Sequence, residues 1–150
     1  MLNRLRDVFK SFQQHDVRYL VIGGVAAILH GVNRMTADVD VLIEATPGNA
    51  AAALDALREL GLGTAWLTTS EDLLSQSVTI FEDVLPVDIH IRTPGVDFAV
   101  AWDCRRIETI HGVPVNILSV DDLIASKEAA GRDVDREDVA ILRRLHPEQS

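Results

Sequence analysis

One turn constrains this chain more than any other feature. Four apolar residues, Tyr19-Leu20-Val21-Ile22, run directly into Gly23-Gly24, and Val25-Ala26-Ala27-Ile28-Leu29-His30 then favours helix until Gly31 stops it. The pattern predicts a strand, a glycine turn and a helix. Without side chains, Gly23 and Gly24 let the oxygens of an anion approach backbone N–H groups, and the helix behind them offers its positive N-terminal end. Such a unit asks for a sheet with helices packed against it.

The remaining periodicity agrees. Leu2, Leu5, Val8, Phe9 and Phe12 have helical spacing, closed by the polar run Gln13-Gln14-His15-Asp16. Asp38 to Ile43 is β-branched and mostly alternating, and stops at Pro47-Gly48. From Asn49 to Leu60 an alanine-rich stretch carries Leu54, Leu57 and Leu60 on one stripe, with Gly61 to end it. Ser77 to Phe81 and Val87 to Arg92 predict an antiparallel hairpin, separated by Glu82-Asp83 and Pro86. Val113 to Leu118 is a further strand. Ser119 caps a helix running through Ala130, with Asp121 and Asp122 in its first turn and Gly131 at its end. Asp135 caps a last helix with Val139, Leu142 and Leu145, and Pro147 lies beyond it. The expectation is a single α/β (α+β) domain over residues 1–150, with a small mixed sheet of about five strands and helices packed on it.

Composition narrows the function classes. With 47% hydrophobic and 25% charged residues, the 150-residue chain can bury a proper core. It has no apolar run long enough for a membrane span, and its charged opening does not match a secretory signal, so the expected location is the cytoplasm. The lone Cys104 can form neither an internal disulfide nor a thiolate cluster, and reads as a small, partly buried hydrophobe. A net charge of −9 disfavours broad adhesion to nucleic acid or anionic lipid. The glycine pair continues into neither G-x-x-x-x-G-K-[ST] nor G-x-G-x-x-G, which removes the main support for P-loop and dinucleotide-binding readings. His15, His30, His111 and His146 show no ligand spacing.

The chemistry rests on three carboxylates. In an extended segment residues i and i+2 point to one side, so Asp38 and Asp40 project together while Val39 and Val41 go to the other. Like charges that close are costly without a cation between them, and hard oxygen donors suit Mg²⁺ or Mn²⁺. On a later strand Val87, Ile89 and Ile91 supply a buried face and leave Asp88, His90 and Arg92 opposite. If the two strands are neighbours, Asp88 completes a cluster able to hold metal on a triphosphate and to deprotonate an attacking hydroxyl. His90 comes near that cluster by alternation and reads as a hydrogen-bonded structural residue.

Gly23-Gly24, thirteen intervening residues, Asp38-Val39-Asp40 and Val87-Asp88-Ile89-His90-Ile91 together resemble the polymerase-β-type nucleotidyltransferase superfamily. Residues 34–40 and 126–138 are also similar to small prokaryotic stand-alone members of the AbiEii abortive-infection toxin type. The resemblance implies transfer of a nucleoside monophosphate from a nucleoside triphosphate such as ATP onto a hydroxyl of RNA, protein or a small molecule. It implies that Asp38, Asp40 and Asp88 are catalytic and hold Mg²⁺ or Mn²⁺, that Gly23 and Gly24 receive the phosphates, and that Arg34 and Thr36 lie beside them. It further implies a toxin-like role with a cognate antitoxin, and the chain's small size raises a shared acceptor site with a partner or second copy. Lys127 falls on an inward helical stripe with Leu123 and Ile124, where it either reaches a triphosphate or snorkels past the core edge. Asp138 matches a downstream family carboxylate, but Asp135 and Asp138 also have cap spacing. Two alternatives stay open: a non-catalytic nucleotide-binding or regulatory module on the same fold, and an antibiotic-type small-molecule nucleotidyltransferase.

Overall fold

The apolar stripe of the first helix explains how one face of the sheet is covered. The computed structural model describes residues 2–82 and 86–149. In it, α1 (Leu2–Gln14) buries Leu5, Val8, Phe9 and Phe12, the i, i+3, i+4, i+7 spacing of one helical face. Phe9 and Phe12 pack on Tyr19 with ring centroids 5.7 and 5.1 Å away. Tyr19 opens β1 (Tyr19–Ile22), and burial pushes its hydroxyl pKa up to about 12. The Ser11 hydroxyl donates to the Ala56 carbonyl at 2.8 Å, tying α1 to α3 (Pro47–Glu59). Thr46 caps α3 by accepting from the Asn49 N–H.

Beside β1, β2 (Val39–Ile43) runs antiparallel, and β4 (Pro86–His90) lies parallel to β2. β3 (Val78–Glu82) pairs antiparallel with β4 on the outer edge. On the other flank β6 (Val113–Ile117) runs parallel to β1, with β5 (Arg106–Ile110) antiparallel to it. The result is one mixed sheet in the order β3-β4-β2-β1-β6-β5. The expected hairpin is present as β3 and β4; Asp83, placed in its turn, lies outside the described residues.

The sheet therefore has six strands, not about five. The strand not anticipated, β5, is an edge strand in which only Ile110 is buried, so it has no alternating pattern to announce it. Two short helices also escaped the periodicity, α4 (Ser70–Ser75) and α5 (Phe98–Cys104), each held by a cap, Thr69 and Asp97. Cys104, at the end of α5, is exposed and not partly buried, because its helix turns only Ala101 fully inward.

The other face of the sheet receives the helices that frame the site. α2 (Gly23–Leu29) follows β1 without a linker, and α6 (Val120–Ala130) packs against it. Ser119 caps α6 as anticipated, and Gly131 ends it in a left-handed conformation at φ 68°. α7 (Asp133–Leu145) then turns back along α6. It starts two residues before Asp135, which acts from inside the first turn by accepting from the Arg132 N–H. Among the described residues no helix is long and apolar enough to cross a membrane.

Candidate functional site

Asp40 and Asp88 meet because β2 and β4 pair in parallel register, with Asp40 directly opposite Asp88. Val39, Val41, Val87 and Ile89 fill the core on one face with no exposed surface, and this leaves both carboxylates on the other. Asp38, immediately before β2, is half-buried and lines the same cavity of about 340 Å³, together with Gly23, Asp88, His90, Lys127 and Arg132. A larger cavity of about 740 Å³ lies at the far end of α2, around His30 and His146, and holds none of the three aspartates. The three aspartates singled out in the sequence all line the smaller one.

The glycine turn is fixed by crowding. Gly23 has φ +66°, and a Cβ there would stand 2.8 Å from Asp40 Oδ2. A Cβ on Gly24 would stand 2.8 Å from Arg34 Nη2 and 2.9 Å from Thr36 Oγ1. Arg34 and Thr36 thus lie beside Gly24, while Gly23, Asp38, Asp40, Asp88 and Lys127 line the cavity itself. Thr36 Oγ1 also donates to the Asp38 carbonyl at 3.4 Å.

Among the described residues no Lys or Arg pairs with the three aspartates, and His90 Nε2 lies 2.8 Å from Asp40 Oδ1 in a hydrogen bond. One buried oxygen, Asp88 Oδ1, has no hydrogen-bond partner. Burial first, then the charge of Asp40 and a side-chain hydrogen bond with it, and after these the charge of Asp38, push the Asp88 pKa up to about 6. A carboxylate cluster with an orphaned oxygen and no cationic side chain on it fits a divalent cation, and donor atoms of Asp40, Asp88 and His90 all lie within 4.8 Å of one another.

Lys127 does not snorkel. It is 3% exposed, and its Nζ lies 2.8 Å from Asp138 Oδ2 and 3.7 Å from Asp135 Oδ1. Asp138 also pairs with Arg34 Nη2 at 3.2 Å, and Asp135 receives Arg132 Nε at 2.8 Å and Nη2 at 3.2 Å. Burial alone would raise the Asp135 pKa, but the hydrogen bonds from Arg132 bring it below the usual carboxylate value. Asp138 is therefore a buried ion-pair partner and no helix cap. The stretch 132–136, which looks like an exposed helix junction in the sequence, places Asp135 at 1% exposure.

Sequence reasoning set His90 aside as structural and did not single out Arg132. Alternation places His90 on the same face as Asp88 two residues earlier, and its hydrogen bond to Asp40 agrees with the hydrogen-bonded role read from the sequence. Arg132 had no such signal, because its place at the cavity depends on how α7 folds back onto α6.

Three solved structures share the fold. A Thermotoga maritima protein described as a candidate nucleotidyltransferase is 19% identical, with a TM-score of 0.56 over 98% of this chain and 92% of its own. An antigenic nucleotidyltransferase-like protein of Paracoccidioides brasiliensis is 17% identical, with a TM-score of 0.62 over 96% and 76%. The antibiotic-resistance factor ANT(2'')-Ia is 17% identical, with a TM-score of 0.57 over 99% and 84%. A search of curated protein sequences finds no match. A family model described as "Nucleotidyltransferase of unknown function (DUF6036)" matches residues 2–143. That model spans nearly the whole chain, and the fold it meets is a nucleotidyltransferase fold, so the chain belongs to this nucleotidyltransferase family.

Proposed function

We propose that this chain, as one domain over residues 1–150, transfers a nucleoside monophosphate from a nucleoside triphosphate to an acceptor hydroxyl in the cytoplasm. The observation that carries the reading is the parallel pairing of Asp40 with Asp88, which brings both residues to a cavity beside the glycine turn. Asp40 and Asp88, with Asp38 on the same cavity wall, would hold a divalent cation, Mg²⁺ or Mn²⁺, which when bound would supply charge neutralisation on the triphosphate and polarisation of its α-phosphoryl oxygen.

The chain's own residues do the rest. Gly23 leaves room for the phosphates to lie against its backbone, and Gly24 keeps Arg34 and Thr36 close behind. Arg132, exposed along most of its length and oriented by Asp135, offers its remaining N–H groups to phosphate oxygens. Asp88 accepts the proton of the acceptor hydroxyl, whose oxygen forms the new bond to the α-phosphorus. The bond from that phosphorus to the bridging oxygen breaks, and pyrophosphate leaves with the electron pair. Lys127 acts behind this surface, because two buried carboxylates already occupy its ammonium.

The test is incubation of purified protein with each α-³²P-labelled nucleoside triphosphate, Mg²⁺ or Mn²⁺, and total RNA plus cell lysate. Transfer of label by the wild type and not by Asp40→Asn is expected, and the labelled fraction identifies RNA, protein or a small molecule as acceptor. Absence of both transfer and cation-dependent nucleotide binding overturns the reading in favour of a non-catalytic module.

A further inference from the structure

We propose that His90 is a direct metal ligand, so that this site selects a first-row transition-metal ion, Mn²⁺ in particular, over Mg²⁺. The inference rests on the reading above that Asp40 and Asp88 hold a divalent cation, and it goes further by naming a nitrogen donor and the class of cation that follows from it.

His90 closes β4 two residues after Asp88, so both side chains leave the same face of the strand. Parallel pairing with β2 brings the imidazole across to Asp40, where Nε2 and Oδ1 lie 2.8 Å apart. That separation suits two neighbouring ligand atoms on one cation. Asp88 supplies the third donor, because a carboxylate oxygen of it and the donors of Asp40 and His90 lie within 4.8 Å of one another, and its Oδ1 has no hydrogen-bond partner. His90 is also shielded, with a side chain 17% exposed.

Among the described residues, no Lys or Arg side chain takes the place of the cation. Lys127 and Arg132 line the same cavity, but Asp135 and Asp138 engage them, so neither neutralises Asp40 or Asp88 by contact. The donor set is thus two carboxylates and one imidazole, with no cysteine. Mg²⁺ is a hard ion that takes oxygen donors and gives up water reluctantly. Imidazole favours first-row transition metals, and carboxylate with water or phosphate oxygens suits Mn²⁺, so the mixed set meets both demands in that ion. Zn²⁺ fits less well, since its usual sites are four-coordinate and rich in nitrogen or sulfur.

The competing role for His90 is to orient Asp40 by donating Nε2–H to it, with no bond to the metal. Two measurements on the full-length protein separate these roles. The first is pulsed electron paramagnetic resonance of the Mn²⁺-loaded wild type, which reads ¹⁴N hyperfine coupling from a directly bound imidazole and needs no variant to fold. The second is calorimetric titration of wild type, His90→Gln and Asp88→Asn with Mn²⁺ and with Mg²⁺. Expected are a clear ¹⁴N coupling in the wild type, its loss in His90→Gln, and a drop in Mn²⁺ affinity of about 10-fold or more in that variant, with Mg²⁺ affinity held within about 2-fold. Cation binding that depends on Asp88 but shows no ¹⁴N coupling, or that weakens equally for both ions in His90→Gln, overturns the proposal and leaves the metal-site reading standing. Failure of the wild type to bind either ion, with or without a non-hydrolysable nucleoside triphosphate, overturns both.

Discussion

Two groups of aspartates, one lining the cavity and one in the buried ion pairs of Lys127 beside it, are treated in opposite ways by the fold. Asp135 and Asp138 are each 1% exposed and ion-paired, by Lys127, Arg132 and Arg34. Asp38, Asp40 and Asp88 are only half-buried and have no Lys or Arg partner among the described residues. The pKa directions follow. Asp135 lies below the usual value because hydrogen bonds from Arg132 outweigh burial, whereas burial and two like charges lift Asp88 to about 6. Charges compensated within the chain hold helices together; charges left uncompensated at the cavity are those that the proposed function assigns to a cation from outside.

Two substitutions should dissociate these roles, and they carry the largest effects. Asp40→Asn should lower nucleotidyl transfer by about 1000-fold or more, about 4 kcal/mol in the barrier. Its unfolding free energy should stay within about 0.5 kcal/mol of wild type, since the half-buried side chain is replaced by a near-isostere. Lys127→Met should do the reverse in kind. Removing the ammonium leaves two buried carboxylates short of a partner, at a cost of about 3–5 kcal/mol, read as a lower urea midpoint with unchanged slope. If Lys127→Met is nearly neutral in stability, the buried group is not the structural one and the comparison collapses.

The uncompensated group has its own pH signature. The folded pKa of Asp88, about 6, exceeds the ordinary value of 3.8, so the folded state binds its proton more tightly. The stabilisation this brings is fully present below about pH 3.8 and is lost as pH rises through 6. At pH 8 the metal-free protein therefore carries an unfavourable charge that Asp88→Asn removes. In thermal melts without metal, the variant should gain a few degrees relative to wild type on going from pH 4 to pH 8. Millimolar Mn²⁺ or Mg²⁺ should then stabilise the wild type and close the gap. A gap independent of pH would mean that the two groups of aspartates do not differ in charge compensation.

How much of this was legible in the sequence depended on the range of the interaction. The strand into Gly23-Gly24, the alternation around Asp38-Val39-Asp40 and the alternation around Asp88 are local, and each places a side chain on a face. That Asp40 stands opposite Asp88 is a matter of register between strands nearly fifty residues apart, which local alternation does not fix. β5 was hidden because an edge strand exposed at Arg106, Ile107, Glu108 and Thr109 has no buried face to pattern. The spacing of Asp135 and Asp138 looked like capping because the first turn of a helix and an ion-pair partner use the same residue type. Only the return of α7 along α6 separates the two meanings, by bringing Lys127 to both.

The smallest prediction tests the frame that carries the compensated group. The Ser119 side chain accepts from the Asp122 N–H at 3.1 Å and so holds the first turn of α6, two turns from Lys127. Ser119→Ala removes that acceptor and should cost about 1 kcal/mol, read by urea denaturation. Because the loss is confined to one end of the helix, the buried pairs at the other end and the carboxylates on β2 and β4 stay in place. Cation affinity by calorimetry should therefore match wild type within about 2-fold. If that small loss of stability also weakened cation binding, α6 would be transmitting strain from its first turn to the cavity, and the two groups of aspartates would be coupled where the geometry keeps them separate.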